Sequence, residues 1–345
     1  MDVDLTRILD LWLEGESLGE NEAGVLLEAL ATGALPDAAA GGLLIALRMK
    51  GEAPSEIRGF ALAMRRLARR PALRADAPYV DIVGTGGDAS GSLNLSTGSA
   101  LLAAACGLEV VKHGNRSVSS ASGSADVLAE LGLPMPLDEA QARRCLEATG
   151  FTFLFAPHYH PAMKHIAPVR RALGVRTVFN ILGPLTNPVE PPFHVIGAFS
   201  EAIAAVMADT LAGMPLQRAF VVHGAAGWDE ATPMGPFSCY DVRPGGVLRR
   251  EIDPADYGLP ACDATALLGT DPAGNTARLR AALEGRDTPA HRDALVLGAA
   301  LALEVTGRAP DLDAGVARAR SVIADGTAAR WLAGLDAFAH AESAP

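Results

Sequence analysis

The chain holds 345 residues, of which 49% are hydrophobic and 20% charged, enough apolar material for roughly two domains of ~100–200 residues. Its 36 glycines and 23 prolines cluster in particular loops, which excludes generic disorder. A formal net charge of −11 repels a polyanion at long range, so sequence-independent nucleic-acid binding is not expected.

Aromatic residues make up only 5%, so the core must rest on Ala, Leu and Val. Cys106, Cys145, Cys239 and Cys262 are far apart, with no C-x-x-C pair. They suit buried thiols in a reducing compartment rather than a zinc knuckle or a disulfide framework. The mean hydropathy is positive, +0.20. No apolar run, however, reaches the ~18–20 residues of a spanning helix, and Glu304 interrupts the nearest candidate, Ala294–Val305. Met1-Asp2-Val3-Asp4 is acidic where an export signal is basic, so a soluble, cytoplasmic protein without membrane association is expected.

Leu5, Ile8, Leu9 and Trp12 recur at helical spacing, as do Val25, Leu26 and Leu30, then Leu43, Leu44 and Leu47. Pro36 is placed to open the third helix and Gly51 to close it. Ser55–Arg70 reads as a fourth, amphipathic helix. Its basic end, Arg65-Arg66 and Arg69-Arg70, is expected to be a solvated face with charge favourable at a helix C-terminus. No strand signal precedes Pro78. From there the texture changes to a strand at Tyr79–Val83, a glycine-rich loop at Gly84–Gly91, a helix beginning near Thr97 and running through Leu101–Cys106, and a strand at Leu108–Val111. Further segments alternate through Phe151–Phe155, Phe193–Phe199, Glu201–Gly213 and Ala219–His223, and helical periodicity returns from Arg292. The predicted fold class is α/β: a small helical N-terminal domain over residues 1–75, then a larger α/β domain over 76–345 with a mainly parallel central sheet and surrounding helices.

Four segments could carry chemistry. The first, Gly84-Thr85-Gly86-Gly87-Asp88 continuing to Asn94-Leu95-Ser96-Thr97-Gly98, can converge backbone N–H groups on an anion at a helix N-terminus. Ser96 and Thr97 can add hydroxyls to a phosphate, or Ser96 can reach a cation. Read alone, the same residues serve equally well as a capped strand-to-helix turn. Gly84-x-Gly86-x-x-Ala89 matches the dinucleotide fingerprint, but glycine and serine continue to Gly91 where a helix should open. The acid some ~20 residues on, Glu109, would lie inside the second strand instead of at its carboxyl end. A nicotinamide site is rejected, and a phosphate-binding loop with G-x-x-x-x-G-K-[ST] does not occur.

The second segment, Lys112-His113-Gly114-Asn115-Arg116 through Asp126, follows the second strand. It combines two cations with five serines, including Ser124, a density that suits a phosphate or diphosphate better than a linker. The third is Asp229-Glu230, after the strand Ala219–His223. Adjacent loop carboxylates suit Mg²⁺, although two solvated acids would look the same. The fourth runs Phe155-Ala156-Pro157-His158-Tyr159-His160 to Arg170-Arg171. With no Cys, Asp or Glu between Gly150 and Val189, His158, His160 and His165 make a poor metal cluster. Arg170 could instead clamp a carboxylate in bidentate fashion or act as a buried structural arginine.

Taken together, GTGGD with NLST, KHGNRSVSSASGSADVLAELG, FLFAPHYHPAMKHIAPVRRALGVRTVFNILGPLTNP, and VVHG with DE resemble the anthranilate phosphoribosyltransferases, grouped with the pyrimidine nucleoside phosphorylases. The resemblance implies transfer of 5-phosphoribosyl from 5-phospho-α-D-ribose 1-diphosphate (PRPP) to the amine of anthranilate. This is the second step of tryptophan biosynthesis from chorismate, and it releases pyrophosphate. It further implies Mg²⁺, a homodimer formed through the helical domain, a site between the two domains, and a segment at about 160–185 that joins the helical domain in space.

Carried over by motif, Gly84, Thr85, Gly87, Asp88, Asn94, Ser96, Thr97, Lys112 and Ser124 would hold PRPP, while Ser96, Asp229 and Glu230 would coordinate magnesium. Gly84, His113, Asn115, Ala156, Pro157, Arg170 and Gly183 would frame anthranilate, with Arg170 meeting its carboxylate. Lys112, Asp229 and Glu230 would be the residues acting on the leaving group. The chain departs from the pattern at Ala226 and Trp228 (AGWDE where DGLDE is common), at Leu93 where an aromatic is usual, and at Gly298 where NAA carries Asn. Two alternatives are a same-fold transferase with another aromatic acceptor and a pyrimidine nucleoside phosphorylase. The latter carry an extra C-terminal domain for which residues 231–345 leave little room. A non-catalytic binding protein would be favoured by loss of Asp229-Glu230 or by a basic surface, and the sequence shows neither.

Overall fold

Four helices open the chain: α1 (Leu5–Leu13), α2 (Glu20–Thr32), α3 (Asp37–Lys50) and α4 (Pro54–Arg66). The Asp4 carboxylate caps α1 by accepting from the Arg7 N–H. Pro36 precedes α3, and Gly51 closes it with a bond to the Leu47 carbonyl. One buried carboxylate ties these helices together. Glu56 accepts from Trp12 Nε1 at 2.7 Å, Leu18 N–H at 3.0 Å, Lys50 Nζ at 2.8 Å and Ala53 N–H at 2.9 Å. Helices α2 and α4 touch at Gly59, where a Cβ would overlap the Glu20 carbonyl oxygen and lie 2.8 Å from Ala23 Cβ.

The computed structural model describes residues 3–116 and 122–343; Ser117, Val118, Ser119, Ser120 and Ala121 of the second predicted loop lie outside them. A seven-stranded sheet follows the helices: β1 (Val80–Gly84), β2 (Val110–Gly114), β3 (Phe151–Phe155), β4 (Phe193–Gly197), β5 (Arg218–His223), β6 (Phe237–Arg243) and β7 (Gly246–Ile252), in the order β3-β2-β1-β4-β5-β6-β7. The first five strands are parallel and the last two antiparallel. The chain leaves β1 toward β2 and leaves β4 toward β5, so the crevice between their carboxyl ends is the topological switch point where ligands of open α/β sheets bind. Helix α5 (Leu95–Ala105) starts two residues before the expected Thr97.

Three sequence expectations are corrected. The sequence pattern gives no sign of the β6–β7 hairpin, which turns at Pro244-Gly245, with Gly245 at φ +77°. The second strand is Val110–Gly114, not Leu108–Val111, so Lys112 and His113 lie within the sheet rather than in the loop beyond it. Glu109 then precedes that strand and pairs with Arg74. Arg65 is not part of a solvated basic end: it is 2% exposed, donates Nε to the Leu185 carbonyl at 2.9 Å and lies 3.7 Å from Glu190. The inner face of α4 continues onto the Leu185 segment, which makes this arginine a tie between domains. Arg66, Arg69 and Arg70 remain exposed.

Side chains alternate across the sheet with period two. Val80, Ile82, Val195, Phe220 and Val222 join one apolar cluster with α5 and the C-terminal helices. Ile196, Ala219 and Val221 join a second cluster, which also contains Ile57 and Phe60 of the bundle and Ile166, Val169, Phe179, Leu182 and Leu185. The helical bundle and one sheet face therefore share a core. Among the described residues no helix is long and apolar enough to cross a membrane.

The α2–α4 contact yields a stability test. Gly59→Ala forces the helices apart and should lower the unfolding free energy by about 1–3 kcal/mol, read from denaturant or thermal melts. An unchanged midpoint would contradict the close contact.

Candidate active site

The crevice is shaped first by what is absent from its strand ends. Strands β1, β2 and β4 finish in Gly84, Gly114 and Gly197, and Gly224 follows β5. A Cβ at Gly197 would overlap the Asp229 carbonyl oxygen, one at Gly224 the Glu230 carbonyl oxygen, and one at Gly84 the Asp229 carboxylate. The acid loop thus lies directly across the ends of three strands. Only glycine admits it.

That loop meets the glycine-rich loop through hydrogen bonds. Asp229 Oδ2 accepts from the Gly86 N–H and, at 3.4 Å, from Thr85 Oγ1, while its own N–H donates to Asp88 Oδ2 at 3.3 Å. Glu230 accepts from Ser92 Oγ at 2.9 Å and from the Ser96 N–H, the first turn of α5, at 3.0 Å. Lys112, 2% exposed, approaches from β2 and donates Nζ to the Ile82 carbonyl and to Ser96 Oγ, the latter at 3.3 Å. Thr85, Asp88, Ser96, Lys112, Asp229 and Glu230 are therefore brought into one cluster. The Thr97 hydroxyl, on the same first turn of α5 as Ser96, is buried without a hydrogen-bond partner.

The electrostatics follow from this packing. Burial, reinforced by neighbouring carboxylates, pushes both Asp229 and Glu230 well above the usual carboxylate range. Burial pulls Lys112 down to about 8, opposed by the charges of Asp81, Glu230 and Asp229. Crowded carboxylate oxygens that resist ionisation suit a hard divalent cation, which relieves their repulsion. Asp229 and Glu230 with the Ser96 hydroxyl fit Mg²⁺ in chemistry, although no grouping of three or more His, Cys, Asp or Glu forms a closed metal cage among the described residues. An open donor set of this kind suits a cation that keeps water and substrate oxygens as ligands.

On the opposite face of β2 two buried imidazoles meet. His113 Nδ1 pairs with the Gly183 carbonyl at 3.2 Å, and its ring meets His160 edge-on with centroids 5.1 Å apart. Burial and the neighbouring imidazole pull His113 down to about 3, and burial pulls His160 to about 4, so both rings are neutral near neutral pH. Asp81 beneath them accepts from the His113 N–H at 3.2 Å and from Asn187 Nδ2 at 2.9 Å, fixing the end of β2. Arg170, half-buried on the helix Ala167–Leu173, lies 5.0 Å over the Phe179 ring with no carboxylate partner among the described residues. Burial without a counter-charge lowers its pKa. Asn115 and Ala156-Pro157 emerge side by side, one step beyond the paired Gly114 and Phe155. Ser124 Oγ donates to the Asn115 carbonyl at 3.1 Å, and Asn94 bridges the Ser122 carbonyl and Asn275.

Sequence reasoning passed over Gly197, Gly224, Ser92 and Arg176, which donates to the Gly87 carbonyl. The glycines had a readable signal, since four of the five parallel strands are followed or ended by one. The departures from the family pattern are accommodated locally. Leu93 is buried and hydrogen-bonded through its N–H to the Leu267 carbonyl at 2.9 Å. At Gly298 a Cβ would overlap Ser99 Oγ, so Ser99 occupies that space. Trp228 is buried, and its carbonyl accepts from the Gly224 N–H at 2.8 Å. Ala226 adopts φ +59°, as Ala89 does at +58° in the glycine-rich loop, both costly for alanine.

Comparison with known proteins covers almost the whole chain. Residues 76–329 match the model of the glycosyl transferase family, a/b domain, and residues 6–68 that of the glycosyl transferase family, helical bundle domain. An anthranilate phosphoribosyltransferase of Rhodospirillum rubrum is 45% identical over 97% of this chain and 96% of its own length. One of Rubrobacter xylanophilus is 46% identical over 94% of this chain and 93% of its own. The crystal structure of anthranilate phosphoribosyltransferase from Thermus thermophilus superposes with a TM-score of 0.88 at 43% identity, covering 96% of this chain and 99% of that one. The Saccharomyces cerevisiae enzyme in complex with PRPP and Mg gives 0.87 at 25% identity, covering 99% of each.

The strained alanine of the acid loop can be tested without assaying activity. Asn tolerates the left-handed conformation, so Ala226→Asn should raise stability by about 0.5–1 kcal/mol. A lower melting temperature would refute the strain.

Proposed function

The chain belongs to the glycosyl transferase family that joins a helical bundle to an α/β domain, and from that membership we propose that it is an anthranilate phosphoribosyltransferase. It moves the 5-phosphoribosyl group of PRPP onto the amine of anthranilate and releases pyrophosphate. The observation that carries this reading is the crevice itself. A glycine-rich loop and paired carboxylates meet at the carboxyl ends of β1, β4 and β5, and Arg170, which has no carboxylate partner among the described residues and stacks on Phe179, is the cation this reading assigns to the acceptor.

Breaking the bond at ribose C1 builds positive charge on the ring and negative charge on the departing diphosphate. Asp229, Glu230 and Ser96 would hold Mg²⁺, which supplies positive charge for the diphosphate. Lys112 adds a fixed cation from β2, and the N–H groups of the glycine-rich loop add preorganised dipoles. His113 and His160 bind protons too weakly to act as bases near neutral pH. Anthranilate's amine is nucleophilic without deprotonation, so the protein contributes orientation: Arg170 receives the carboxylate, and the Asn115, Ala156-Pro157 and Gly183 segments frame the ring.

Self-association belongs to the helical domain in this proposal. A groove of about 650 Å³ between α3 and the helix Ala167–Leu173 is lined by Gly41, Gly42, Ile45, Val169 and Leu173. Leu13 and Met49 nearby in the bundle are more than four-fifths exposed. A homodimer would cover such surface. A cytoplasmic location fits the substrates.

Anthranilate fluorescence should fall on mixing with PRPP only when Mg²⁺ is present. Full-length folded protein that leaves the fluorescence unchanged would refute the acceptor. Arg170→Ala removes a charge-assisted contact to the acceptor carboxylate, so KM for anthranilate should rise ~10–100-fold with KM for PRPP little changed. The reverse pattern would reassign Arg170.

A further inference from the structure

Arg176 occupies the turn between the helix Ala167–Leu173, which carries Arg170, and the helix Phe179–Leu182. It is exposed and has no carboxylate partner among the described residues, in a chain whose arginines mostly pair with acids. Its guanidinium lies 4.3 Å over the Phe199 ring and donates Nη2 to the Gly87 carbonyl. Its own carbonyl accepts from Arg48 Nη1, at the C-terminal end of α3, at 2.7 Å. Phe199 in turn donates its N–H to Thr85 Oγ1 at 3.2 Å. The glycine-rich loop is therefore held at Thr85 and at Gly87 by two residues that are stacked on each other, and one of them is tied to the helical bundle.

Gly86 and Gly87 both adopt positive φ, +69° and +77°, so this stretch of backbone has wide conformational freedom unless something fixes it. Its N–H groups can serve an anion only if the peptides are oriented beforehand. A guanidinium that binds the Gly87 carbonyl orients that peptide directly, and the ring beneath fixes the guanidinium plane.

We propose that Arg176 is a positioning residue for the diphosphate end of PRPP, and that the chain Arg48–Arg176–Gly87 carries the bundle's position into that loop. The proposal rests on the reading of the crevice as a PRPP site. It assigns to the acceptor-side segment a second arginine with a distinct task. Arg170 meets the acceptor, and Arg176 shapes the donor's loop.

The test is PRPP binding by calorimetry in the presence of Mg²⁺, without anthranilate, followed by initial rates. Arg176→Ala should weaken PRPP binding and raise its KM ~10-fold, the loss of about one charged hydrogen bond. KM for anthranilate should stay within ~2-fold, because the acceptor contacts do not use this side chain. Arg176→Lys keeps the charge but not the planar fork and stack, so it should recover only part of the loss. Phe199→Leu should weaken PRPP binding less, and its effect should not add fully to that of Arg176→Ala. Unchanged PRPP affinity in Arg176→Ala, full recovery by lysine, or equal rises in both KM values would each overturn the assignment. Wild-type protein that binds no PRPP would instead overturn the functional reading on which it stands.

Discussion

The Asp229-Glu230 segment runs across the carboxyl ends of three neighbouring strands, its main chain against Gly197 and Gly224 and the Asp229 carboxylate against Gly84, closer than a β-carbon permits. Register makes this possible. Gly84 of β1 pairs with Gly197 of β4, which pairs with Val222 of β5, and Gly224 follows two residues on, so the bare positions lie together at the carboxyl ends of adjacent strands. The two acids are consequently placed by backbone, with their carboxylates anchored by Gly86, Ser92 and Ser96 of the next loop. Functional groups fixed by main chain lose little rotamer freedom when a ligand arrives, a saving that favours preorganised sites.

An acidic protein that handles an anionic donor needs its charges sorted. Most arginines at the surface are partnered, as Arg58 is with Glu20 and Arg280 with Asp336. Elsewhere the pattern inverts. Asp88, Asp229 and Glu230 crowd one another, whereas Arg170 and Arg176 stack on aromatic rings with no carboxylate partner among the described residues. The arrangement favours a divalent cation on one side and carboxylate or phosphate oxygens on the other. Net charge, a far-field quantity, says little about either.

Much of this was legible before any coordinates. Helical periodicity marked α1 to α4, and the β-strand punctuation of Gly-rich loops marked the parallel part of the sheet, because local pattern and tertiary role agree there. The β6–β7 hairpin escapes the pattern because FSCYDVR mixes charge with apolar residues and the edge strand GVLRREI is mostly exposed, which blurs the alternation. Lys112 and His113 looked like loop residues because a lysine buried in a strand is rare; it is accepted here through its bonds to Ile82 and Ser96. The membership of Asp229, Glu230, Ser96 and Lys112 in one cluster came from motif resemblance, and no local spacing could have supplied it. Arg176 lay inside a motif already quoted, but its stack on Phe199 joins residues far apart in sequence and leaves no periodic trace.

The apolar cluster shared by the bundle and one sheet face bears on how the molecule comes apart. Two domains can be drawn along the chain, yet Ile57 and Phe60 on one side and Ile196 and Val221 on the other belong to a single packed mass, with Arg65 reaching across to the Leu185 segment. Neither half has a closed hydrophobic surface of its own. Excising residues before β1 would bare a sheet face, and the liberated bundle would lack the chain segment that seals its inner side. The shared core therefore couples the two parts on melting, and a cut at the linker should leave two fragments with bared apolar faces instead of two stable modules.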